Sequence, residues 1–188
     1  MEAVLEKIHQ FADTAHDAQL RRYTPDRYIV HPARVMETCR SYDNRLPILA
    51  AALLHDVLED TAVTENEMLE FLYTVMDKEN ADKTLALVIE MTDVYVKEAY
   101  PNLNRKKRKA KELERIAETS PDAQTIKYAD IIDNSSEIAL NDPDFATRYL
   151  LECKAILKVA DKGSPELQAI AIRTVRDNLR MLGETRSL

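Results

Sequence analysis

The residues best suited to chemistry lie in "AAALLHDVLEDT", Ala50 to Thr61, where an apolar run meets His55, Asp56, Glu59 and Asp60. His55 and Glu59 stand four apart, as do Asp56 and Asp60, so a continuous helix would project all four within an arc of roughly 140°. Three carboxylates cannot all stay charged side by side in a dry site without a cation. A divalent metal is the simplest compensation. A histidine nitrogen with aspartate oxygens suits manganese, iron or zinc better than calcium. The competing reading is an acidic surface next to a core histidine.

A metal needs further ligands. His31 stands at the mouth of a helix beside Pro32, where a His-Pro pair can also be no more than a helix start. Asp130 lies in "TIKYADIIDN", on a helix with Ile126, Ala129 and Ile132 on its apolar side. Asn134 is one turn on and Lys127 one turn back. An inward aspartate there wants a partner, either a cation or a buried lysine or arginine.

Such residues need rigid elements, and the chain is built for helices. It has 188 residues, 45% of them hydrophobic, with two glycines and seven prolines. So few breakers predict an all-α fold, a single helical bundle of about eight to nine helices in one domain over 1–188. Val4, Ile8, Phe11 and Ala15 form the stripe of a first helix ending near Leu20. "RRYTPDRYIVHP" reads as a loop, and Pro32 opens a helix to about Arg40. "SYDNRLP" is the next loop, and Pro47 opens the helix that carries "AAALLHDVLEDT". Thr64 and Glu67 make a capping-box pattern before "MLEFLYTVM". Helical spacing then runs from about Asn80 to Glu98, from Leu103 to Glu118, and from Ser120-Pro121 onward. Asp142-Pro143 enters another helix. "DKGSPE" is the last break before a helix with Leu167, Ile170, Val175, Leu179 and Leu182.

The net charge of −7 argues against general binding of nucleic acid. Cys39 and Cys153 lack a CxxC partner and read as free thiols of a reducing compartment. No run approaches a membrane span and no targeting segment is recognised, so a cytoplasmic protein without a membrane partner is expected.

"YIVHPARV", "AALLHDVLEDT" and "IKYADIIDN" occur in the order His, His-Asp, Asp. In this they resemble the HD-domain metal phosphohydrolases, and more closely the hydrolase half of the RelA/SpoT alarmone enzymes in their stand-alone form. The resemblance runs from about Ala15 to Asn134, and no synthetase domain is expected after it. It implies one manganese ion per active site, on His31, His55, Asp56 and Asp130. It implies that Glu59 and Asp60 position and activate the attacking water; spacing does not choose the base between them. The implied reaction removes the 3′-pyrophosphate of ppGpp or pppGpp. Asn134 matches a position beside the nucleotide, with Lys127 as a neighbouring contact. Family members often pair, and the apolar C-terminal helix could serve a homodimer.

The substrate contacts are set by basic residues. Arg105 is the best match to an Arg-Lys element in "NRKKRKAKELER", a segment that otherwise reads as a solvated helix face. Before His31 the family carries an Arg-Lys pair whose arginine stacks on the purine. Arg22 stands nine residues before His31, but Tyr23 follows where lysine is usual; an insertion would shift the match to Arg21 and Arg22. Tyr23 could itself stack on a base. These departures leave room for the same site acting on a pppApp-type alarmone, NADPH or a deoxynucleotide. The reading of another class is a non-catalytic nucleotide sensor or nucleic-acid-binding partner working through the 105–115 charges.

Overall fold

Helices begin where the chain carries its capping residues. Thr64, Asp77, Asn104, Ser120 and Asp142 each accept a hydrogen bond from a backbone N–H of the adjoining first turn. Pro47, Pro121 and Pro143 fall in the first turn of their helices, where a missing N–H costs nothing. The computed structural model describes residues 1–185. Among them are ten helical segments, nine of them longer than a single turn, and no strand; one isolated bridge pairs Leu20 with Arg27. The all-α class expected from composition is the class observed.

Contacts gather the chain into two compact units, Met1–Thr92 and a second beginning at Asp93. The first holds α1 (Glu2–His16), α2 (Val30–Arg40), α3 (Leu46–Leu54), α4 (Val57–Asp60), α5 (Glu65–Val75) and α6 (Lys78–Met91). Its centre is α3, which packs against α1, α2 and α6. Every residue of α3 from Pro47 to Leu54 is buried. Leu49, Leu53 and Leu54 are fully enclosed, and each such side chain contributes about 1.5–3 kcal/mol.

The second unit holds α7 (Arg105–Glu118), α8 (Pro121–Asn141), α9 (Pro143–Val159) and α10 (Pro165–Thr185). Helices α8, α9 and α10 pack on one another, and α7 packs on α9. Tyr128 of α8 is fully buried and donates from its hydroxyl to the Ala160 carbonyl at 2.7 Å. The α9–α10 link crosses its ring so closely that a Cβ on Gly163 would stand 2.6 Å from Tyr128 Cε2. Glycine is therefore required there for space.

Three boundaries differ from the sequence reading. Helix α1 ends at His16, short of Leu20, because Asp17 turns out of it with φ 44°, a left-handed conformation that aspartate tolerates better than most residues. Helix α6 ends at Met91, short of Glu98, where Thr92 goes extended and its hydroxyl bonds the Val88 carbonyl. The helix from Pro47 does not run through the motif: it stops at Leu54, turns at His55 and Asp56, and restarts as the single turn α4.

Candidate metal centre

That turn is what shapes the site. His55 Nδ1 lies 2.8 Å from the Ala52 carbonyl, the acceptor an Asp56 N–H would use in a continued helix. A ring nitrogen facing a carbonyl must carry the proton, so the lone pair of the neutral ring falls on Nε2. His31 enters from the first turn of α2, fully buried, its backbone N–H bonded to the Tyr28 carbonyl at 3.0 Å.

Three donor atoms converge. Asp56 Oδ2 is 3.1 Å from His55 Nε2 and 3.6 Å from His31 Nε2. The two imidazoles meet edge to face, 5.1 Å between centroids. One ligand atom from each of His31, His55 and Asp56 lies within 4.8 Å of the others. Ligands about 2.1 Å from a common cation stand about 3.0 to 4.2 Å apart for angles from 90° to 180°, and both distances fit. Two imidazole nitrogens this close to a carboxylate oxygen call for a positive centre between them, a ring proton or a metal cation. The donor set therefore fits a divalent cation, with two nitrogens and a carboxylate oxygen.

The acids of α4 flank this centre. Glu59 and Asp60 both have exposed surface. The Asp60 carboxyl is nevertheless pushed up, first by protein packed against it and then by the charge of Asp56; the nearby Tyr28 hydroxyl works in the opposite direction. Tyr28 was not singled out by residue type or spacing. Its hydroxyl donates to Asp56 Oδ2 at 2.7 Å, across 28 residues of sequence, and burial beside Asp56 pushes its pKa up, so it remains a donor.

Of the arginines before His31, Arg21 is buried with its guanidinium 5.5 Å over the Tyr28 ring. Arg22 is exposed and lies 5.2 Å over the ring of Tyr23. Asp130 belongs to the second unit and is not in the three-residue cluster. Its Oδ1 accepts from Asn134 Nδ2 at 2.7 Å, and its Oδ2 faces Lys127 Nζ at 3.2 Å. The three residues picked from "IKYADIIDN" are thus brought together. They adjoin a cavity of about 190 Å³ that Lys127 and Asp130 line with Lys109, Tyr149 and Cys153. Sequence reasoning missed Tyr149, whose only signal is its place on the inner side of α9. The Cys153 thiol is pushed up to about 12, chiefly by burial, and is no nucleophile.

The basic cluster on α7 is largely tied down. Arg105 pairs with Glu152, Lys109 with Asp93 at 3.5 Å, and Arg115 with Glu112 at 2.5 Å. Lys111 lies 5.4 Å over Tyr95. Glu112 itself is buried and accepts from the backbone N–H groups of Val94 and Tyr95.

The HD-domain family model matches residues 28–135, a span that begins at Tyr28 and takes in His31, His55, Asp56, Asp130 and Asn134. The chain belongs to the HD-domain family. Within it, the chain is 31% identical over 142 residues to the guanosine-3′,5′-bis(diphosphate) 3′-pyrophosphohydrolase MESH1 of Drosophila melanogaster, covering 71% of this chain and 69% of that one. It is also 31% identical over 142 residues to a probable guanosine-3′,5′-bis(diphosphate) 3′-pyrophosphohydrolase of Mycoplasma pneumoniae. That match covers 72% of this chain and 18% of the bacterial protein, so the chain spans less than a fifth of that relative's length. A solved structure of a metazoan ortholog of SpoT that hydrolyses ppGpp superposes with a TM-score of 0.72 at 24% identity, over 98% of this chain and 96% of that one. That superposition bears on the fold. No helix among the described residues is long and apolar enough to cross a membrane.

Proposed function

We propose that this chain is a metal-dependent hydrolase that removes the 3′-pyrophosphate of ppGpp and pppGpp, releasing pyrophosphate and GDP or GTP. The observation that carries it is the convergence of His31 Nε2, His55 Nε2 and Asp56 Oδ2, in a chain similar to MESH1 over 69% of that protein. The proposed cation is manganese, one per site. Asp130 is proposed as its fourth ligand on the strength of the family match, which extends to residue 135. When bound, such a cation lowers the pKa of a coordinated water toward neutrality and offsets charge on a phosphoryl oxygen.

The chain's own residues supply the rest. Water adds to the phosphorus on the 3′-oxygen, the bond between them breaks, and the 3′-oxygen takes up a proton as pyrophosphate leaves. Glu59 or Asp60 takes the proton of the attacking water. The Asp60 carboxyl is raised toward the range in which a carboxylate takes a proton near neutral pH. His55 is held in one tautomer by Ala52, so its ligand nitrogen needs no reorganisation. Arg21, Arg22, Tyr23, Arg105, Lys127 and Asn134 are the proposed substrate contacts. For Arg105 and Lys127, engagement means exchanging Glu152 and Asp130 for phosphate.

The proposal extends to a cytoplasmic location, supported by two buried cysteines that are not joined in a disulfide. It also extends to a homodimer through α10, which exposes Ile172 and Met181. Manganese-loaded protein is incubated with ppGpp, pppGpp, pppApp, NADPH and deoxynucleoside triphosphates, and the products are identified by mass. GDP with pyrophosphate from ppGpp is expected. No turnover of ppGpp with any divalent metal overturns the proposal, and exclusive turnover of another substrate reassigns it.

A further inference from the structure

The ring of Tyr28 is held on three sides. His16 lies against it at 4.4 Å between centroids and 31° between planes. The Arg21 guanidinium sits 5.5 Å over its centroid, and His31 meets it edge-on at 6.1 Å. Its hydroxyl donates to Asp56 Oδ2 at 2.7 Å. Asp56 Oδ2 is the oxygen that faces both imidazole nitrogens. A second lone pair on a ligating oxygen is where an orienting donor acts.

His16 adds an observation that packing does not explain. It is buried, with Nδ1 3.0 Å from Gln19 Oε1. Its Nε2 has no hydrogen-bond partner among the described residues. A buried unsatisfied nitrogen is destabilising, and a phenylalanine at the same place would avoid that cost. His16 thus backs the phenol on one side.

We propose that Tyr28 is a positioning residue: its hydroxyl tethers the ligating oxygen of Asp56, and the His16 ring holds the phenol at that angle. The ligating oxygen is then oriented before a cation arrives. The part concerning turnover rests on the proposed hydrolysis; the part concerning metal affinity does not.

Tyr28→Phe keeps the ring on His16 and Arg21 and removes only the tether. Manganese affinity is read without substrate, from the electron paramagnetic resonance signal of free Mn²⁺. It is expected to weaken about 10- to 100-fold. With ppGpp, kcat is expected to fall by a similar factor while KM stays within about threefold, and the melting temperature of metal-free protein stays close to that of the parent. His16→Ala is expected to weaken manganese binding by a smaller factor, to add little on top of Tyr28→Phe, and to be rescued by His16→Phe. Parental affinity and kcat in Tyr28→Phe overturn the tether, and an additive double variant overturns the role of His16. Should Tyr28→Phe fail to fold, the His16 variants decide, since both keep the hydroxyl: equal, parental affinity in the two overturns the proposal. A parent protein that binds manganese but leaves ppGpp intact defeats the proposed reaction alone, and the affinity arm still tests the tether.

Discussion

Helices α3 and α7 are opposites. The nine residues of α3 carry no charge, and eight of them are buried. Ten of the fourteen residues of α7 are charged, and only Glu112 and Ile116 are buried. Sequence alone draws the eye to both, to α3 for the acids and histidine at its end and to α7 for its own charges. In α3 the apolar run fixes the backbone, and chemistry begins at the residue where the run stops. In α7 three of the seven cations, Arg105, Lys109 and Arg115, are compensated nearby by Glu152, Asp93 and Glu112. Density of charge is a weaker guide to a site than the lack of local compensation. His31, His55 and Asp56 bring three potential ligand atoms to one point, whereas Arg105, Lys109 and Arg115 of α7 already pair with acids.

Substitutions can break that contrast. His55→Ala is expected to abolish high-affinity manganese binding in calorimetry and to lower ppGpp turnover more than about a hundredfold; retained binding would remove α3 from the site. Leu53→Ala leaves a cavity in the support of that helix and is expected to cost about 2–5 kcal/mol in urea unfolding. A smaller loss would mean that α3 is held less rigidly than its burial implies. In α7, Glu112→Gln weakens the acceptor for Val94, Tyr95 and Arg115 and is expected to cost about 1–3 kcal/mol. The smallest effect belongs to Lys106→Ala with Lys107→Ala, exposed residues whose loss should change stability by less than about 0.5 kcal/mol. Salt-sensitive RNA binding that disappears in this double variant would revive a nucleic-acid role for α7.

Local signals were legible in the sequence. The Thr64–Glu67 capping box forms as its spacing says, with both reciprocal hydrogen bonds. Ser120-Pro121 and Asp142-Pro143 open α8 and α9 because cap and proline act within one turn. The family order of His31, His55-Asp56 and Asp130 was also readable, and the structure gathers the first three. The break at His55 was not readable. No glycine or proline marks it, and a side chain bonding the backbone three residues earlier produces it. Tyr28 and Glu112 were missed for a different reason. Tyr28 bonds Asp56 across 28 residues, and Glu112 bonds the backbone at Val94 across 18. A tyrosine in a loop and a glutamate among lysines give no sign of such distant partners until the chain is folded.

The enclosure of α3 has a consequence in time as well as in space. Its place is settled by leucine and alanine packing, so taking up a cation is a loading step on a finished scaffold, unlike small metal-dependent domains that fold only around their ion. Removing the metal with a chelator should switch the protein off without sending it back through folding, and returning the metal should switch it on at the speed of ion exchange. The active fraction in a cell would then follow the supply of free cation from moment to moment, with no new synthesis required.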